Sequence, residues 1–114
     1  RSKSPEEHTS AMVQKAQQLI LQYYDQGITL EEIAGKLVVS EEYLSTQFKK
    51  ETGMTFSETV RKYRIEKVKK LLLETPFKLN QIAELAGYSD SKYMSKVFKE
   101  EVGMLPSEYR KSLH

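Results

Sequence analysis

The strongest constraint on the fold is that the chain repeats itself. Displaced by 49 residues, Leu30, Ile33, Ala34 and Ser40 fall on Leu79, Ile82, Ala83 and Ser89. After one inserted residue the displacement becomes 50. Tyr43, Ser45, Phe48, Lys49, Glu51, Gly53, Met54, Ser57 and Glu58 then fall on Tyr93, Ser95, Phe98, Lys99, Glu101, Gly103, Met104, Ser107 and Glu108. Self-similarity of this order marks one supersecondary unit used twice. Each copy reads as a short helix, a tight turn, a serine cap and a longer helix ended by glycine, which is the outline of a helix-turn-helix. Ala34 and Ala83 are small enough to let the paired helices approach closely. Gly87 stands where the turn needs a positive φ, which costs glycine nothing sterically. Val38 occupies that place in the first copy, so its turn is expected to be strained or differently shaped.

The rest of the chain is read in helices as well. Val13, Ala16, Ile20, Tyr23 and Tyr24 follow 3–4 spacing, and Gly27 stops the pattern. Thr29-Leu30-Glu31-Glu32 and Thr55-Phe56-Ser57-Glu58 are capping boxes, the second opening a long helix with Val60, Ile65, Val68 and Leu72 as its buried stripe. Thr75-Pro76 ends that helix, because the residue before proline avoids helical geometry. Short helices are expected over Leu79 to Ala86 and Asp90 to Val102, and a terminal one from Pro106. Nothing alternates with period two for long enough to be a strand. The expected fold is all-α, with seven helices in two helix-turn-helix subdomains joined by a long central helix. The expected divisions are 1–10 as a linker remnant, 11–56 and 76–114 as the two subdomains, and 57–75 as the connecting helix.

Composition narrows the function classes. The chain has 114 residues and no cysteine, so no disulfide reinforces its modest core. No apolar run exceeds the Leu71-Leu72-Leu73 triplet, which excludes a membrane span. The start, Arg1-Ser2-Lys3-Ser4-Pro5, shows no signal peptide and no initiating Met, and suggests a piece of a longer protein. Its only histidines, His8 and His114, lie in opposite termini, and there is no glycine-rich phosphate loop. No enzyme, metal site or cofactor is therefore expected. Of the tyrosines, Tyr23, Tyr24, Tyr43, Tyr93 and Tyr109 sit at spacings expected for helix packing.

Net charge is only +2, yet the charge is clustered. Arg61, Lys62, Arg64, Lys67, Lys69 and Lys70 stand within ten residues against one acid, Glu66, and Lys92, Lys96 and Lys99 form a second cluster. Acidic pairs such as Glu31-Glu32 and Glu41-Glu42 fall where helices begin, where the dipole favours them.

The second copy carries a family resemblance. Ile82-Ala83-Glu84-Leu85-Ala86-Gly87-Tyr88-Ser89-Asp90, then Tyr93-Met94-Ser95-Lys96-Val97-Phe98-Lys99, then Gly103-Met104-Leu105-Pro106-Ser107-Glu108-Tyr109-Arg110 resemble the signature of the AraC/XylS transcription regulators. Arg64-Ile65 leading into Leu71-Leu72 resembles the linking-helix motif, and the likeness runs from about Val13 to Arg110. The wording is most similar to the YesN-like response-regulator branch of two-component systems. The resemblance implies a cytoplasmic DNA-binding domain acting on double-stranded promoter DNA. It further implies RNA polymerase and a separate N-terminal receiver or effector domain as partners. The chain departs from the pattern at Thr46-Gln47, where relatives commonly carry Arg and an apolar residue, and at Leu105, where the usual serine would cap the last helix.

On this reading the second helix of each copy is the recognition helix, and the major groove admits such a helix and shows it a distinct pattern for each base pair. With Leu44, Gln47 and Phe48 inward, Glu42, Ser45, Thr46 and Lys49 face the bases, Glu42 a candidate for cytosine N4. With Met94, Val97 and Phe98 inward, Ser91, Lys92, Ser95 and Lys96 do so in the second copy. Ser40, Lys50, Arg61, Lys62, Ser89 and Lys99 are the expected phosphate contacts. The second ridge, with Lys92, Lys96 and Lys99, carries more charge than the first and is expected to supply more of the electrostatic affinity. A central helix of roughly 27 Å, at about 1.5 Å per residue, is long enough to hold two such helices for neighbouring groove segments. The alternative is a helical protein-interaction module that keeps the fold without binding DNA; steep release from duplex with rising salt separates the two.

Overall fold

In the computed structural model, residues 10–112 are described. The linker expected over the first residues and both histidines lie outside that range, apart from Ser10. Among the described residues the elements are α-helices only, apart from one 3-10 turn. They are α1 (Ala11–Tyr23), the turn Tyr24–Gln26, α2 (Leu30–Leu37), α3 (Glu41–Thr52), α4 (Phe56–Glu74), α5 (Leu79–Ala86), α6 (Ser91–Val102) and α7 (Pro106–Ser112). The chain forms two compact units. One runs to Tyr24 and resumes from Ile28 to Arg61; the other takes Asp25–Gly27 and everything described from Lys62 onward.

Side-chain caps set the helix starts. Ser10 accepts from the Val13 N–H at 3.3 Å, and its own N–H and hydroxyl donate to the Glu51 carboxylate at 2.6 and 3.1 Å. Thr29 and Glu32 complete the expected box, each accepting from the other's backbone N–H at 3.1 and 3.0 Å. Thr55 and Glu58 do the same at the head of α4, at 3.0 and 2.8 Å. The Thr55 N–H, held against the Glu58 carboxylate, keeps that group below its ordinary pKa, with Lys49 and Arg61 adding smaller attractions. Ahead of α7 the cap position holds Leu105 rather than serine, and the Leu105 N–H donates to Glu108 at 2.8 Å.

Packing follows the apolar spacing. In the first unit α1, α2 and α3 close on one another, burying Val13, Ala16, Ile20, Ile33, Ala34, Leu44 and Phe48. In the second unit Ile65, Val68 and Leu72 of α4 join Ile82, Ala83 and Ala86 of α5 and Met94, Val97 and Phe98 of α6. Tyr109 of α7 closes edge-on against Phe98, with ring centroids 5.4 Å apart. The Arg110 guanidinium donates to the Leu72 and Thr75 carbonyls at 2.9 and 3.0 Å, satisfying acceptors that the end of α4 leaves open.

The two turns have the same shape. The Val39 and Tyr88 N–H groups reach back to the Ala34 and Ala83 carbonyls at 3.0 and 2.8 Å. Gly87 takes φ 94°, and Val38 takes φ 56° and ψ 49°. The first turn is therefore strained rather than reshaped. Left-handed geometry costs a residue with a Cβ about 1–2 kcal/mol. Val38 is 88% exposed, so its side chain offsets little of that cost by packing. Val38→Gly is expected to stabilise the first unit by about 1 kcal/mol, raising its melting temperature by roughly 4–8 °C. Thermal unfolding followed by circular dichroism checks this, and an unchanged or lower midpoint contradicts it.

Candidate nucleic-acid interface

In α3 the faces separate by exposure. Leu44 and Phe48 are buried and Gln47 is half-buried, while Glu42, Ser45, Thr46 and Lys49 are exposed on the other side. Ser40 caps the helix, accepting from the Tyr43 N–H at 3.1 Å, and Gly53 ends it in left-handed geometry. Lys50, Arg61 and Lys62 are exposed as well. The outward stripe holds one acid and one base, so its own field is weak.

In α6 the sorting is the same and the chemistry differs. Met94, Val97 and Phe98 are buried; Lys92, Lys96 and Lys99 are exposed; Ser91 and Ser95 are half-buried. This face carries three cations, with the exposed Glu100 at its edge four residues beyond Lys96, and its net positive charge makes it the stronger attractor for a polyanion.

One sequence expectation is corrected at the cap. Asp90, not Ser89, caps α6, its carboxylate accepting from the Tyr93 N–H at 2.7 Å. The residue inserted between the copies is thus Ser89 itself, and the structural counterpart of Ser40 is Asp90. Ser89 is exposed just ahead of the helix. The physical reason is reach: the capping side chain must accept from an N–H three residues on, and Asp90 stands at that distance from Tyr93.

Two of the tyrosines expected in helix packing lie at the surface instead. Tyr23, Tyr24 and Tyr109 are half-buried, but Tyr43 and Tyr93 are 52% and 53% exposed. The tyrosine that joins the core beside the buried phenylalanines is Tyr88 of the turn. Tyr93 meets it edge-on at 5.9 Å, and the Arg64 guanidinium lies 5.6 Å from the Tyr88 ring centroid.

The basic run on α4 is divided among different partners. Lys67 pairs with Asp25 at 2.6 Å and Lys69 with Glu66 at 3.2 Å. Both pairs hold charge within the second unit, the first across 42 residues of chain, and Arg64 is engaged with Tyr88. The exposed cations Arg61 and Lys62 stand nearer the head of the helix.

Comparison with known proteins bears on the fold and the family. A family model described as a helix-turn-helix domain matches residues 33–112. The uncharacterised HTH-type transcriptional regulator YtdP of Bacillus subtilis (strain 168) is 40% identical over 87 residues, covering 76% of this chain and 11% of YtdP. The chain spans 38% of the Msm operon regulatory protein of Streptococcus mutans, so it matches only a minor part of these relatives. Among solved structures, the C-terminal domain of AraT, a response regulator from Geobacillus stearothermophilus, superposes with a TM-score of 0.88. It is 39% identical, with 90% of this chain and 86% of that one covered. The C-terminal domain of the two-component response regulator yesN from Fusobacterium nucleatum follows at 0.79 and 37% identity, covering 85% of this chain and 96% of that one.

Proposed function

This chain belongs to the AraC-type helix-turn-helix family, and on that premise we propose that it is the sequence-specific double-stranded DNA-binding domain of a transcription regulator. The observation that carries the reading is the pair of recognition helices. Each buries one face in its own unit and leaves the opposite face to solvent, and on α6 that free face is a ridge of Lys92, Lys96 and Lys99.

The residues divide by role. Lys92 and Lys96, with Ser91 and Ser95 beside them, meet base edges, while Lys99, Lys50, Arg61, Lys62, Ser40 and Ser89 meet phosphates. Glu42, Ser45, Thr46 and Lys49 read bases from the first unit, more weakly because their stripe is neutral. Using both helices, the domain reads two successive major-groove segments of one duplex. The domain acts by binding, not catalysis, in the cytoplasm. It works beside an N-terminal receiver or effector domain, and RNA polymerase is its partner at the promoter.

Selection of bound duplexes from a random library tests the reading. The expected result is enrichment of a recurring sequence whose binding weakens steeply with salt. A chain that enriches nothing and is not retained on duplex at low salt is instead a helical protein-interaction module.

A further inference from the structure

The two exposed tyrosines share one register. Tyr43 and Tyr93 each stand three residues beyond the cap, and the backbone N–H of each is held by that cap, by Ser40 at 3.1 Å and by Asp90 at 2.7 Å. Residues three and four places apart are neighbours on a helix surface. For Tyr93 these are Lys96, exposed, and Val97, buried. The ring thus sits on the border between the lysine ridge and the core, about half exposed, at the first turn of the helix. Tyr88 supports it edge-on at 5.9 Å, and Tyr88 is itself packed under Arg64 of α4. A large aromatic held in place at the rim, with a hydroxyl at its far end, is poorly explained by core packing.

We infer that Tyr93 is a DNA-contact residue, its hydroxyl donating to a phosphate oxygen at the edge of the groove that α6 enters. Tyr88 and Arg64 are positioning residues, since they act through the Tyr93 ring. Tyrosine hydroxyls belong to the donor set that holds a protein in register on the backbone without reading sequence. In the first unit Val39 stands where Tyr88 does, so Tyr43 has no aromatic support from that place. This inference rests on the DNA-binding reading above.

Tyr93→Phe tests it, because the variant keeps the ring on Tyr88 and removes only the hydroxyl. Binding is measured on a duplex selected by the wild-type chain, on single-base variants of that duplex, and across a salt series. The expected result is a roughly threefold to tenfold loss of affinity, the size of one hydrogen bond, equal on all sequences. The salt slope stays unchanged, because a neutral donor releases no counterion. Unchanged affinity overturns the inference, and so does a loss confined to one base pair, which would mean a base contact. A wild-type chain that binds no duplex overturns the DNA-binding reading first, and this inference with it. An unchanged melting temperature accompanies the expected loss; a binding loss that only tracks unfolding counts against the contact.

Discussion

Replacing Lys92, Lys96 and Lys99 together with alanine flattens the salt dependence of DNA binding. Each phosphate charge neutralised adds about 0.9 to the slope of log affinity against log salt; Lys99 does so directly and Lys92 and Lys96 through the phosphates flanking the groove, so the triple variant lowers the slope by up to about 2.7. Between 50 and 200 mM salt, the ratio of affinities then shrinks by up to roughly fortyfold. Lys49→Ala, on the weakly charged stripe of α3, lowers the slope by about 0.9 at most. The contrast follows from the exposed ridge of three cations on α6 against one cation and one acid on α3. Because all three lysines are exposed, the melting temperature moves little, which separates lost attraction from lost fold. A triple variant with the wild-type slope would remove α6 as the main electrostatic grip.

Phe98→Ala strongly destabilises the second unit. Phe98 is fully buried between α4, α5 and α7 contacts and meets the Tyr109 ring edge-on at 5.4 Å. Truncating a buried phenylalanine costs about 3–5 kcal/mol, from lost transfer energy and the cavity left behind. A small unit holds only about 0.05–0.15 kcal/mol of stability per residue, so this loss removes most of what it has. The expected thermal melt shows the cooperative transition of this unit displaced by more than about 10 °C, at roughly 4–8 °C per kcal/mol. Phe98→Leu, which keeps most of the volume, is expected to cost far less. A Phe98→Ala chain that melts within a few degrees of wild type would show that the core closes around the loss.

Much of the scaffold was legible because its signals are local. The capping boxes at Thr29 and Thr55 need only residues three apart, and both form as expected. Ile65, Val68 and Leu72 follow helical spacing and are buried together in the second unit, whereas Val60, also buried, lies off that stripe and belongs to the first unit. The strain expected at Val38 follows from a β-branched residue in a glycine position, and the left-handed φ is there. What escaped is what depends on three dimensions. Ser40 and Ser89 match by identity, and that coincidence hid the insertion one residue too late; only the hydrogen bond to Tyr93 identifies Asp90 as the cap. The wheel separates Tyr93 from the core by a small angle, so spacing alone could not decide between packing and exposure. Lys67 and Asp25 are 42 residues apart, and Arg110 reaches carbonyls 35 and 38 residues back. No periodicity announces such pairs, and they decide which members of the basic run on α4 are already engaged.

The most direct test of the central claim is a hydroxyl-radical footprint of the wild-type domain on a selected duplex. Two recognition helices on one duplex predict protection of the sugar-phosphate backbone flanking two major-groove segments about 10 bp apart, close to one helical turn. Protection of a single segment, or of none at saturating protein, would contradict it.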